Sequence, residues 1–64
     1  MKIKVYFNAL TEAEIEVSDK FAILTEECNI RLENELEKTV TKTLGISRDS
    51  LCGIWTGDEV LLEY

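Results

Sequence analysis

The chain has no histidine and no proline, only three glycines and two cysteines, and seven lysines and arginines against thirteen aspartates and glutamates. Each scarcity closes a class of function. Without histidine the commonest general base is absent, Cys28 and Cys52 have no imidazole to activate them, and the serines have no base either. Carboxylates are plentiful, but acid–base work on a substrate also needs a cleft, which a two-layer domain of this size rarely encloses. Gly45, Gly53 and Gly57 form no phosphate-cradling loop and answer to backbone geometry instead. Two distant cysteines without histidine do not supply a tetrahedral zinc site. No catalytic residue, cofactor or metal site is therefore expected, and the chain is read as a non-enzyme.

The shortage of cations bears on partners. Lys2, Lys4, Lys20, Arg31, Lys38, Lys42 and Arg48 are spread singly along the chain, and the formal net charge is −6. Such a surface repels a phosphate backbone, so direct nucleic-acid binding is not expected. No apolar run is long enough for a leader or a membrane span, which makes the cytoplasm the expected location. In that setting the two thiols are expected to be reduced and packed as small hydrophobes, with a disulfide between helix and strand only under an oxidant.

What is present is an ordinary globular composition, 45% hydrophobic and 31% charged. It predicts one domain over residues 1–64, burying about 60% of the surface that the unfolded chain exposes. Residues 2–8 alternate, with Ile3, Val5 and Phe7 against Lys2, Lys4, Tyr6 and Asn8. A second alternation sets Ala13, Ile15 and Val17 against Glu12, Glu14 and Glu16. Both read as half-buried strands of a hairpin. Placing both apolar sets on one core pairs Phe7 with Ala13, Val5 with Ile15 and Ile3 with Val17. It puts residues 9–11 in the turn and Lys4 opposite Glu16.

Ser18 or Asp19 then caps a helical pattern that runs to Leu44, with Gly45 as a left-handed stop. Phe21, Leu24, Cys28, Leu32, Leu36 and Val40 form its apolar stripe. A straight helix of about 26 residues would measure about 39 Å, more than a two-stranded sheet can cover. It either breaks near Asn29 or packs its far half on the C-terminal segment or another subunit. A short element capped by Ser47 follows. Residues 51–55 and 59–64 then read as a second hairpin around a type II′ turn at Gly57-Asp58. In that register Leu51, Trp55, Val60, Leu62 and Tyr64 share one face. The fold class is α+β, in the order β-β-α-β-β, with antiparallel hairpins packed against one long helix, continuous or broken.

Two features stand out as candidate partner-binding sites. Glu12, Glu14 and Glu16 recur on one strand face about 6.8 Å apart, twice the strand rise. Together with helical acids such as Glu27 they could imitate a row of phosphates and dock on a basic surface. The competing reading is a solvated face, in which Glu27 and Glu35 find Arg31 and Lys38 as helical neighbours. Ile23 and Ile30 fall off the apolar stripe, seven positions apart. They are either scattered surface residues beside a local break or a contact ridge for a second copy of the chain.

In size, acidity and lack of chemistry the chain is similar in type to accessory proteins of phages and mobile elements, anti-CRISPR inhibitors and antitoxins among them. That resemblance implies a non-enzymatic inhibitor or adaptor that occupies a basic, nucleic-acid-binding surface of a partner protein. The alternative expectation is a self-assembling structural or accessory protein, a homodimer through its helix.

Overall fold

The two alternating segments form the first hairpin in the computed structural model, which describes residues Met1–Tyr64. Strand β1 is Lys2–Phe7 and strand β2 is Thr11–Glu16. Their apolar faces are as expected, but their register differs by two residues. Val5 lies opposite Ala13, Ile3 opposite Ile15, Lys4 opposite Glu14 and Lys2 opposite Glu16. A slip of two keeps every side chain on its own face, so hydrophobic patterning cannot detect it. The turn decides instead. It occupies residues 8–10, with Asn8 at φ 52° and Ala9 at φ 68°, and asparagine is one of the few non-glycine residues that enters this region readily. The Asn8 N–H also donates to the Ser50 carbonyl at 2.9 Å, which anchors the turn to the C-terminal half.

The helical stretch is broken. A 3₁₀ helix, Asp19–Thr25, starts at Ser18, whose hydroxyl accepts the Lys20 N–H at 3.3 Å. Helix α1 is Ile30–Leu44, capped by Asn29, whose side-chain oxygen accepts the Leu32 N–H at 3.2 Å. Gly45 ends it at φ 65°. The break replaces a straight rod of about 39 Å with two shorter pieces, and the domain fits within 26 × 22 × 20 Å. Lys20 ties the two pieces together by pairing with Glu35 while its ammonium lies 5.3 Å from the Phe21 ring centroid. Phe21, Leu24, Leu36 and Val40 are buried as expected, whereas Cys28 falls in the break and is exposed.

A short 3₁₀ turn, Arg48–Ser50, capped by Ser47, leads into β3, Leu51–Thr56, and β4, Glu59–Glu63. Gly57 opens the two-residue turn between them at φ 57°, the positive value that the first position of a type II′ turn requires. All pairings are antiparallel, in the order β2-β1-β3-β4. Two irregularities correct the expected face of the second hairpin. Between its pairings with Phe7 and Tyr6, β3 carries one extra residue, Cys52. Leu61 is likewise extra in β4, between the partners of Ile54 and Trp55. Each bulge resets the alternation beyond it. The core therefore takes Leu51, Ile54 and Leu61, with Leu62 against it, while Trp55 and Val60 turn to the opposite face and Tyr64 is half-exposed.

The helices cover one face of this sheet, and Ile3, Val5, Leu36, Val40 and Ile54 are completely enclosed between the layers. The architecture is a two-layer α+β domain whose second sheet face is bare. No helix is long and apolar enough to cross a membrane.

Candidate functional site

The bare face can be written out from the ladder. One row across the four strands reads Glu12, Tyr6, Gly53, Glu63; the next reads Glu14, Lys4, Trp55, Val60; Glu16 and Lys2 begin a third. Neighbouring strands lie about 4.8 Å apart, so residues within a row are in side-chain contact range. The hydrogen-bond phase is also fixed. The Val17 N–H donates to the Met1 carbonyl at 2.9 Å, which makes the odd-numbered positions of β2 the hydrogen-bonded ones. Glu12, Glu14 and Glu16 are then the non-hydrogen-bonded positions. Their backbone N–H and C=O groups point to the open edge of the sheet, while their side chains stand on the bare face.

The acidic residues are only partly neutralised. Glu16 pairs with the Met1 ammonium at 3.0 Å, and that ammonium also meets Asp19 at 2.8 Å. The hydrogen bond that the amine donates to Asp19, and then that to Glu16, raises it above its ordinary 8.0, and the same contact lowers Asp19 below 3.8. Only two further ion pairs exist, Lys20 with Glu35 and Arg48 with Glu37. Glu12 and Glu14 have no cationic partner, although Lys4 stands directly across from Glu14. Glu27 is also unpaired: it lies in the break, where the spacing to Arg31 is no longer helical, and it belongs to the helical layer beyond the sheet. Glu35 takes Lys20 rather than Lys38.

Ile23 and Ile30 lie on different helices, one on either side of the break, so their spacing does not define a common helical face. Ile30 is 69% exposed and Ile23 40%. The structure thus groups Glu12, Glu14 and Glu16 and separates them from Glu27, Ile23 and Ile30.

The aromatic pair at the centre of the face does not follow from the sequence pattern, which sets Trp55 on one face with Leu51 and Leu62. The Trp55 ring and that of Tyr6 meet edge to face, centroids 6.4 Å apart and planes at 77°. The indole leans over Gly53: a β-carbon added there would stand 3.3 Å from Trp55 Nε1. A shallow depression of about 350 Å³ results, lined by Tyr6, Cys52, Gly53, Trp55, Glu63 and Tyr64. The signal available in the sequence was Gly53 itself, since glycine inside a strand marks a bulge or a close approach.

A second depression, of about 390 Å³, is wholly polar and lies against α1, lined by Asn34, Glu37, Lys38, Thr41 and Arg48. Its buried carboxylate is fully engaged. Glu37 accepts from the Tyr64 hydroxyl and from Arg48 Nε, the latter at 3.2 Å. Burial first, and then the hydrogen bond to Glu37, raises the Tyr64 phenol above its ordinary 10.0, which keeps it a donor. This cluster staples helix, 3₁₀ turn and C-terminal strand together. The two thiols are free and exposed, contrary to the expected packing. Cys28 donates to Glu33 at 3.3 Å, which raises its thiol above the ordinary 9.0. No protein-family model matches the chain, and neither curated proteins nor solved structures give a match.

Proposed function

We propose that the chain is a non-enzymatic protein-binding domain, an inhibitor or adaptor whose bare sheet face occupies a basic surface on a partner protein in the cytoplasm. The observation that carries this reading is the coincidence, on one uncovered face, of the unpaired Glu12 and Glu14 with the Tyr6–Trp55 pair. Carboxylates steer a basic partner and set its orientation. Tyrosine and tryptophan are the residues most enriched among energetic anchors of interfaces. A regular row of glutamates on a rigid strand is also a substitute for the phosphates that such a partner would otherwise hold, in the manner of the accessory inhibitors of phages and mobile elements.

The test is charge reversal on the face. A Glu12→Lys, Glu14→Lys, Glu16→Lys variant with an unchanged circular dichroism spectrum should lose the partner that the native protein retains from host extract. Binding of that purified partner should also lose its dependence on salt. Equal retention by both proteins ends the proposal.

A further inference from the structure

We infer that the depression between Tyr6, Gly53 and Trp55 is the socket for one arginine side chain of the partner, a specification that rests on the docking role proposed above. Three properties of the site select this group. The rings of Tyr6 and Trp55 stand at 77° and line the depression, with the indole lying over the buried Gly53. A guanidinium is planar and weakly hydrated and stacks on such ring faces. The row that crosses the floor begins with Glu12, directly opposite Tyr6, and ends with Glu63, directly opposite Gly53. Of the two, Glu63 lines the depression itself, so a cation there can present its fork of N–H donors to that carboxylate while it stacks.

The same features reject other occupants. An anionic side chain would face the Glu63 carboxylate. An apolar one would strip water from Glu63 without offering a donor in return. A lysine ammonium carries a tightly held hydration shell and lacks the flat face, so in a depression this open it gains less from the rings.

Trp55 is the only tryptophan in the chain, so its emission reports on the socket without a label. The probes are N-acetyl-arginine amide, N-acetyl-lysine amide and N-acetyl-leucine amide, titrated at low ionic strength into the native protein. The arginine probe should shift the emission saturably, and the lysine probe should bind about fivefold more weakly. The leucine probe should leave the emission unchanged. Glu63→Gln, a change at an exposed position, should weaken the arginine probe about fivefold. Tyr6→Leu should do the same with the reporter still in place. Equal affinity for arginine and lysine, or an arginine response indifferent to both variants, overturns the socket. That outcome leaves the charge-reversal result on the whole face untouched, so failure of the socket and failure of the docking role are read separately.

Discussion

The two faces of this sheet divide a closed core from an uncovered, charged surface. On the covered face, Ile3, Val5 and Ile54 lock against Leu36 and Val40 with no exposed surface, and their contribution is set by volume and fit. On the bare face, adjacent in sequence and sharing the same backbone, stand unpaired carboxylates, two lysines and an aromatic corner that the core does not use. Ile54 and Trp55 are consecutive residues with opposite duties. Tyr6 and Trp55 are half-buried on this face, beside carboxylates that no ion pair neutralises, and it is this grouping that the proposed docking role uses.

The contrast can be broken most sharply at Ile54. Ile54→Ala should lose about 3 to 4 kcal/mol by urea unfolding, the sum of lost transfer energy and a cavity; for a domain this small that is most of its stability. A loss below 1 kcal/mol would show that the layers are not packed as described. Tyr64 sits on the seam between the faces, lining the outer depression while its hydroxyl holds Glu37 in the helical layer. Tyr64→Phe should cost about 1 kcal/mol at neutral pH, the usual worth of a half-exposed hydrogen bond.

That variant also sharpens the comparison through pH. Because the folded phenol is raised above its ordinary 10.0, the native state keeps a proton that the unfolded chain releases. The associated stability is complete below pH 10 and falls as pH rises beyond it. Unfolding midpoints followed from neutral pH into the alkaline range should therefore decline less steeply in Tyr64→Phe than in the native protein. Parallel slopes would remove Tyr64 from the account. The smallest effect belongs to the bare face. Glu12→Gln with Glu14→Gln should change stability by less than about 0.5 kcal/mol per site, as expected where no ion pair is lost. A larger drop would mean that these side chains have structural work after all.

Much of the architecture was legible because it is local. Ser18, Ser47, Gly45 and Gly57 announced caps and turns through short-range backbone chemistry, and the clean alternation in β1 and β2 named both faces. What failed was long-range or of even parity. The hairpin register differs by two, a slip that leaves all faces intact. The break at residues 26–29 contains neither glycine nor proline, and the sequence offers it near Asn29 only as one of two outcomes; the Asn29 cap of α1 decides it. The bulges at Cys52 and Leu61 depend on how β3 meets β1 and β4, and with them went the position of Trp55. The candidate site was accordingly half visible: Glu12, Glu14 and Glu16 fall on one face whatever their register, while the aromatic corner beside them exists only after the second hairpin is bulged.

The phase of the β1–β2 ladder has one further consequence, for assembly. Two copies laid side by side along β2 in antiparallel fashion would set one glutamate row against the other, and the exposed amides they would have to share belong to those same glutamates. The opposite margin, β4, lies against the 3₁₀ helix. Charge repulsion thus opposes growth of the sheet at the β2 margin.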